Sequence, residues 1–303
     1  MSTKSFHGWS GRTPQGRVAY VNGRYVPHAQ AGVHIEDRAM QFADGIYEVV
    51  GVAGGRIFDE EHHLDRLVRS VGEIGMAMPM EREALKLVIR EMARRNRVRD
   101  GLIYMQVTRG AYRRDHAIPP AADRPTLIIT ARALNAALIA ERREQGVKVI
   151  THADERWARR DIKSTALLPN ILAKTDARKA GAFEAWLIDR DGFITEGSST
   201  SAWIVDKDGN IVTRDLSHAI LPGVTRREIL DAAAEAQIAI VERKFTPAEA
   251  LAAREAFMTA ATLGATAIVS IDGHRIGDGK PGPITRRLQD LYARRAEKLA
   301  AAG

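Results

Sequence analysis

Short apolar runs joined by tight polar turns are the most regular feature of this chain. In four places an apolar run is interrupted by Asn-Gly or Asp-Gly and then resumes, which is the pattern of a β-hairpin with a two-residue turn. The four turns are Asn22-Gly23, Asp191-Gly192, Asp208-Gly209 and Asp272-Gly273. Strands are therefore predicted both near the N-terminus and throughout the second half of the sequence.

Apolar residues also recur at spacings of three and four positions, which is the period of an amphipathic helix. In the segment 61–74 they are Leu64, Leu67, Val68, Val71 and Ile74. The segments 82–95 and 283–299 show the same spacing. Because hairpins and helices are mixed without a strict βαβ alternation, the pattern predicts an α+β architecture.

The length of the chain and one junction indicate two domains. A chain of 303 residues is expected to fold around two medium-sized cores rather than one large core. The junction is expected in the segment 132–138, which follows a predicted strand. We expect an N-terminal domain at 1–134, with an extension at 1–16, a linker at 135–139 and a C-terminal domain at 140–303.

The composition is that of a soluble globular protein, with 45% hydrophobic and 27% charged residues. No stretch approaches the roughly 20 apolar residues of a membrane helix. The first residues lack the apolar core of a signal peptide. We therefore expect no membrane segment and no membrane partner.

The net charge of +7 raises the question of nucleic-acid binding. The basic residues are interleaved with acids, as in Glu141-Arg-Arg-Glu144, and no aromatic residues alternate with the arginines. This distribution favours a solvated basic surface that attracts anionic substrates, not a nucleic-acid interface. The absence of cysteine excludes disulfides, thiol nucleophiles and Cys-ligated metals, and it fits a cytoplasmic protein. No metal site is expected.

Three motifs point to one cofactor. Lys163 stands in Asp-Ile-Lys-Ser, Glu196 precedes Gly-Ser-Ser-Thr, and Val224-Thr225 follow Leu-Pro-Gly at the predicted start of a helix. A site for pyridoxal phosphate requires a lysine that forms a Schiff base, a carboxylate at the pyridine nitrogen and a helix N-terminus for the phosphate. The segment after Lys163 is expected to become helical by Thr165.

Further motifs carry a family resemblance over residues 17–295. The stretch from Phe42 to Glu48 resembles an N-terminal Phe-Gly-Asp-Gly-x-Tyr-Glu signature, with Ala43 in place of its usual glycine. His63–Leu67 and Gln106–Gly110 match two further motifs. The chain is similar to the fold-type IV pyridoxal phosphate enzymes, and most similar to their D-amino-acid aminotransferases. The resemblance implies two domains, a smaller N-terminal α/β domain and a larger C-terminal β-barrel-like domain.

The resemblance also implies roles for individual residues. Lys163 would carry the cofactor and act as the general base, and Glu196 would face the pyridine nitrogen. The other implied cofactor-binding residues are Arg66, Ser199, Thr200, Val224, Thr225 and Thr262. The substrate carboxylate would be bound by Tyr47, Arg114 and His116, with the Arg114–His116 loop arriving from the neighbouring subunit of a homodimer. Two ordinary interpretations stay open: Thr225 as a helix N-cap, and Arg114–His116 as a solvated loop.

The implied activity is transfer of the amino group of a D-amino acid similar to D-alanine to a 2-oxo acid such as 2-oxoglutarate or pyruvate. A branched-chain L-amino-acid aminotransferase is the main alternative, since Leu221–Thr225 fits both groups. An (R)-amine transaminase and an aminodeoxychorismate lyase share the scaffold. A basic binding protein without catalysis would be expected to lack Lys163 or Glu196. Small residues at Gly51 and Ala53 predict a wider substrate pocket than in close relatives.

Overall fold

Residues 16–120 and 122–302 are described by a computed structural model of the protein. Residues 1–15 of the expected N-terminal extension lie outside the described residues. The chain separates into two compact units. The first holds the described residues up to Leu134 together with Ile162–Ala166, and the second holds Asn135–Asp161 and the chain from Leu167 onward.

The first unit is built on a six-stranded antiparallel sheet with the strand order β2-β1-β6-β5-β3-β4. Its strands are β1 (Val18–Val21), β2 (Arg24–Pro27), β3 (Gly45–Ala53), β4 (Arg56–Ile57), β5 (Gly101–Thr108) and β6 (Thr126–Ala133). The helices are α1 (Arg38–Phe42), α2 (Glu60–Glu73) and α3 (Arg82–Arg95). The predicted hairpin at Asn22-Gly23 and the helices predicted at 61–74 and 82–95 are confirmed.

The core of this unit lies on one face of the sheet. The apolar faces of α2 and α3 pack there through residues such as Leu67 and Ile89, against strand residues such as Ile46 and Met105. Because successive strand residues point to opposite faces, Tyr47 and its same-face neighbours are left on the other side of the sheet. That side carries Tyr47 and the Lys163 amine that contacts it.

Ala43 ends α1 in an unusual backbone conformation. Its φ of 55° and ψ of 28° lie in the left-handed region, and its N–H donates to the carbonyls of Ala39 and Arg38. Only glycine adopts this region without a steric cost from Cβ. The glycine usual at this point of the signature therefore has a structural reason.

We expect Ala43→Gly to raise the free energy of unfolding by about 1 kcal/mol, because it removes the Cβ strain of a left-handed residue. Urea unfolding with an unchanged m-value measures the effect. Ala39→Gly, inside the same helix, is the matched control and should lower the free energy of unfolding by about 0.5–1 kcal/mol. Destabilisation by both substitutions would contradict the strain at Ala43.

The second unit contains a nine-stranded mixed sheet. Its strands are β7 (Val147–Ala153), β8 (Glu184–Ile188), β9 (Ile194–Gly197), β10 (Ser201–Val205), β11 (Ile211–Thr213), β12 (Ile240–Glu242), β13 (Glu255–Ala260), β14 (Gly264–Ile271) and β15 (His274–Arg275). The path is β12-β11-β10-β13-β14-β7-β8-β9, with β15 beside β14. The three hairpins predicted in this half, β8–β9, β10–β11 and β14–β15, are confirmed.

The sheet curls on itself. In the path, β10 is third and β9 is eighth, yet only residues 198–200 separate these two strands in sequence. The Gly197 N–H donates to the Thr200 carbonyl at 2.7 Å across that turn. The last strand of the path, β9, must therefore lie close to the third, β10, which gives the β-barrel-like form implied by the resemblance. The predicted two-domain α+β fold is confirmed.

Five helices accompany this sheet. They are α4 (Ala136–Gln145), α5 (Leu168–Lys179), α6 (Val224–Glu235), α7 (Pro247–Leu251) and α8 (Pro283–Ala302). The parallel pairs β7–β8 and β11–β12 are joined through α5 and α6, because a parallel pair needs a crossover connection. The expected linker at 135–139 comprises the N-cap and first turn of α4. In the described ranges, no helix combines the length and apolarity needed to cross a bilayer.

Candidate active site

Lys163 lies on an extended segment that pairs with the start of β3. Its carbonyl accepts a hydrogen bond from the Tyr47 N–H at 3.0 Å, and the Thr165 N–H donates to the Gly45 carbonyl at 2.9 Å. Ser164 forms a β-bridge with Ile46. The expectation of a helix from Thr165 is therefore wrong, and α5 begins only at Leu168. The backbone groups that would start an earlier helix are used by the strand.

The Lys163 amine is placed on the open face of the first sheet. Its Nζ lies 3.3 Å from the Tyr47 hydroxyl and 4.4 Å from the centroid of that ring. Tyr47 stacks on Tyr104, with ring centroids 5.8 Å apart. Burial raises the pKa of Tyr104 to about 12, so its hydroxyl stays neutral and donates a hydrogen bond to Gln106 Oε1 at 2.7 Å. A primary amine thus contacts one phenol, which is stacked on a second.

Glu48 points to the opposite face from Tyr47, because successive strand residues alternate between the two faces. It is fully buried and binds Arg66 by two hydrogen bonds, Nε to Oε2 at 2.9 Å and Nη2 to Oε1 at 2.6 Å. His63 Nδ1 lies 3.1 Å from the same carboxylate. Burial acts to raise the pKa of Glu48, but the charge of Arg66 and the bonds from His63 outweigh it and hold that pKa well below its usual range. Arg66 is therefore locked in one orientation by a charged partner.

Sequence reasoning missed this role of Glu48. The available signal was the His63-Leu-Asp-Arg66 spacing: residues three apart on a helix share a face. A buried arginine on that face requires a carboxylate partner. Glu48, an acid alternating with apolar strand residues, meets this requirement.

Glu196 lies on β9 in the second unit and is buried. Its Oε1 accepts hydrogen bonds from Arg156 Nη1 at 2.5 Å and from the Leu221 N–H at 3.1 Å. In the described parts of the chain, Oε2 receives none. Burial raises the pKa of Glu196, and Arg156 with the Leu221 amide offsets part of that effect. A cationic N–H facing Oε2 would stabilise the ionised form further.

Arg156 reaches Glu196 because Asp154 holds its other side. The Arg156 Nε and Nη2 atoms donate to the two oxygens of Asp154 at 2.9 and 2.8 Å. Thr195 and Arg160 contact the same carboxylate at 2.9 and 3.2 Å. Two of the arginines that precede Lys163, Arg156 and Arg160, are thus paired with an acid that the sequence analysis did not single out.

The start of α6 offers free donors. Val224 is the first helical residue, Gly223 is the N-cap, and no side chain caps the helix. Thr225 is the second residue of the helix, so its interpretation as an N-cap is wrong. Its buried Oγ1 has no hydrogen-bond partner within the described chain. A Cβ on Gly223 would come 2.8 Å from Ser201 Oγ. Uncapped N–H groups and a spare hydroxyl are what an anion requires.

The turn after Glu196 contains two further residues expected to bind the cofactor, Ser199 and Thr200, and their hydroxyls differ in hydrogen bonding. The Ser199 hydroxyl donates to Glu184 Oε2 at 2.7 Å, and Ser198 donates to the other oxygen of the same buried carboxylate. Thr200 Oγ1 is buried and, among the described residues, unpartnered. Thr200 therefore has the free hydroxyl, while Ser199 is held by Glu184.

Thr262 lies half-buried in the turn between β13 and β14. Arg114 and His116 are exposed and contact Phe42, with the Arg114 Cζ 5.1 Å and the His116 ring 5.4 Å from its centroid. Within the described residues of one chain, no hydrogen bond joins Arg114 or His116 to Tyr47. Residues 114–116 therefore lie in an exposed loop, and within one chain the side chains of Arg114 and His116 do not bond to Tyr47.

Comparison with known proteins identifies the family to which these residues point. Residues 45–271 match the model of the amino-transferase class IV family. A D-alanine aminotransferase of Bacillus licheniformis is 39% identical over 268 residues, which cover 88% of this chain and 93% of that protein. One from Listeria innocua is 38% identical over 274 residues, 90% of this chain and 93% of that protein.

Solved structures of branched-chain amino acid aminotransferases have the same fold. The Escherichia coli branched-chain amino acid aminotransferase has a TM-score of 0.83 and 26% identity, covering 91% of this chain and 93% of its own. The T.th. branched-chain amino acid aminotransferase, solved with pyridoxamine 5'-phosphate, has a TM-score of 0.84 and 27% identity, covering 93% of this chain and 94% of its own.

Proposed function

We propose that this chain, which belongs to the class IV aminotransferases, transfers the amino group of a D-amino acid to a 2-oxo acid. The observation that carries the chemistry is the Lys163 amine held 3.3 Å from the Tyr47 hydroxyl. The choice of D-amino acid is supported by D-alanine aminotransferases at 38–39% identity, against 26–27% for the branched-chain structures. The family expected from the sequence is confirmed.

The chain uses pyridoxal phosphate, and its residues fit that group. The cofactor, when bound, supplies an aldehyde for a lysine amine and a ring that accepts the electron pair of the substrate α-carbon. The uncapped start of α6 and the buried Thr225 hydroxyl suit its phosphate. Arg66, Thr262 and Thr200 are the further contacts we propose, and Glu196 would hold the ring N–H through Oε2.

Lys163 is the proposed base. Its Nζ would take the proton from the substrate α-carbon and return it on the cofactor side of the bond. Tyr47 fixes the position of that nitrogen by contact with its hydroxyl and ring. Arg114 and His116 would bind the substrate carboxylate together with Tyr47, because a carboxylate calls for charge-assisted donors.

A homodimer is proposed as the working unit, with the Arg114–His116 loop reaching the site of the neighbouring subunit. Two observations support it: this loop makes no hydrogen bond to Tyr47 within the described part of one chain, and large apolar side chains are exposed. They include Ile35, Met40, Leu168, Ile171 and Leu172. A fully active monomer in sedimentation would contradict the proposal. We also place the enzyme in the cytoplasm, as its lack of cysteine suggests.

The function is tested with a panel of D- and L-amino acids, each with pyruvate or 2-oxoglutarate as acceptor. We expect D-alanine to be used and its L-enantiomer to be ignored. Gly51 lies on the same face of β3 as Tyr47 by alternation, so the panel includes D-phenylalanine, which a wide pocket would accept. Turnover of L-leucine or L-valine without D-alanine would establish the branched-chain alternative. A protein that stays colourless with pyridoxal phosphate would be a binding protein without catalysis.

Arg114→Ala is expected to raise the KM for D-alanine about 10- to 100-fold, because it removes a charged donor to the α-carboxylate. Steady-state kinetics at saturating acceptor measure the change. Arg113→Ala is the matched control: it removes an adjacent exposed arginine and should leave the KM within about twofold. Equal effects of the two substitutions would indicate a general charge effect and not a carboxylate contact.

A further inference from the structure

We propose that Arg38 is a positioning residue that holds the loop 111–117 in the geometry its Arg114 and His116 side chains need. The inference rests on the proposed function, because it concerns the loop assigned to the substrate carboxylate. Arg38 itself lies in α1, outside the set of residues that would touch substrate or cofactor.

The Arg38 guanidinium binds the C-terminal end of the loop through backbone carbonyls. Its Nη1 donates to the carbonyls of Asp115 at 2.6 Å and Ala117 at 3.3 Å, and its Nη2 donates to the carbonyl of His116 at 3.4 Å. Three consecutive carbonyls thus converge on one planar fork of donors, which a lysine could not reproduce. The bound stretch includes His116 and follows Arg114 directly.

The same residue also holds the base of the loop. The Arg38 backbone N–H donates to the Gly110 carbonyl at 2.9 Å, and the preceding Asp37 forms a β-bridge with Ala111. Gly110 has a φ of +95°, and a Cβ there would overlap the Arg124 carbonyl oxygen, so the chain leaves β5 through a turn that only glycine allows. One residue therefore contacts both ends of the loop.

Arg38 is fixed in turn by its surroundings. It is only 3% exposed, and its Nε donates to Asp44 Oδ2 at 2.7 Å. Burial acts to raise the pKa of Asp44, but hydrogen bonds from Arg109 and Arg38 outweigh it and lower that pKa, so the carboxylate stays charged. The Phe42 ring lies against the Arg38 guanidinium at 4.9 Å and also contacts Arg114. The Arg38 guanidinium, Asp44, Phe42 and the loop therefore pack together.

Arg109 provides a close comparison within the same group. Its Nε binds the same Asp44 oxygen at 2.8 Å, and it is 2% exposed. Its other nitrogens donate to the carbonyls of Ile74 and Gly75, at 2.7 and 3.2 Å, and not to the loop. Arg38→Lys and Arg109→Lys therefore remove equivalent bonds from two different segments.

The experiment compares these two variants as holoenzymes with the wild type. For Arg38→Lys we expect the KM values for D-alanine and pyruvate to rise together by about tenfold, with kcat changed less than about threefold, since both substrates use the α-carboxylate. Limited trypsin digestion, read by mass spectrometry, should cut after Arg113 or Arg114 several-fold faster than in the wild type. Arg109→Lys should lower the melting temperature similarly but leave both readouts near wild-type values.

The proposal is overturned if Arg38→Lys leaves the KM values or the loop cleavage unchanged, or if Arg109→Lys changes both to the same extent. A merely structural role of Arg38 would produce the latter result. If the wild type does not transaminate D-alanine, the proposed function fails, but the cleavage comparison still decides whether Arg38 holds the loop.

Discussion

Replacing Lys163 by alanine is expected to lower turnover about 10⁴-fold, because the variant would lose both the amine that we propose bonds to the cofactor and the base that we propose moves the α-proton. The Nζ atom lies 3.3 Å from the Tyr47 hydroxyl, and the Lys163 backbone is paired with β3. The substitution therefore removes the amine without releasing the segment that carries it. Phosphate contacts at the start of α6 should still retain pyridoxal phosphate non-covalently.

Borohydride reduction followed by peptide mapping measures this directly. The pyridoxyl mass should appear on the wild-type peptide that contains Lys163 and should be absent from the variant. Lys179→Ala is the control, since the Lys179 side chain is 72% exposed and should affect neither label nor turnover. A label on any other lysine would show that the assignment is wrong.

Glu196→Gln is expected to slow the half-reaction with D-alanine about 10²- to 10³-fold while weakening cofactor binding much less. A neutral amide cannot hold a proton on the pyridine nitrogen, so the ring accepts electrons poorly. Arg156 keeps its two bonds to Asp154 in the variant, which limits the structural damage to the loss of one ion pair.

Stopped-flow spectra of the half-reaction and equilibrium dialysis of the cofactor separate the two effects. Glu228→Gln is a matched control, because Glu228 is also a buried carboxylate of the second unit paired with an arginine, Arg295, at 2.7 Å. It should lower stability without slowing the half-reaction. An unchanged half-reaction rate in Glu196→Gln would mean that another group faces the nitrogen.

The regular elements followed closely from the sequence. The four Asn-Gly and Asp-Gly turns each join two antiparallel strands, and the helix predicted at 82–95 has those bounds in the structure. Such signals are local: a left-handed turn residue or a 3.6-residue period acts over a few neighbours. The prediction of a helix from Thr165 was wrong, because residues 163–165 pair with β3, which is distant in the sequence, and this pairing overrode the local signal.

Only part of the candidate site could be predicted from such local sequence signals. Lys163, Glu196 and the start of α6 could be named because their motifs are contiguous, and their roles in catalysis stay predictions. The supporting residues Asp154 and Glu184 were not found, since each is a single acid with no motif of its own, and Glu48 was identified only as the end of a signature, without a role. Their importance lies in what they bind: Arg66, Arg156 and the Ser198–Ser199 turn.

By itself the sequence determined the family, the four hairpins and the amphipathic helices, and it named candidate site residues whose roles stay predictions. The tertiary structure decided which charges are neutralised, which hydroxyls remain free and where each side chain is held. Lys163 and Tyr47, which are in contact, are 116 positions apart in the sequence. Arg38 and the loop carbonyls that it binds are 77 to 79 positions apart. Hydrogen bonds and ion pairs depend on distances of about 3 Å and on burial. For residues this far apart in sequence, only the folded chain sets those distances.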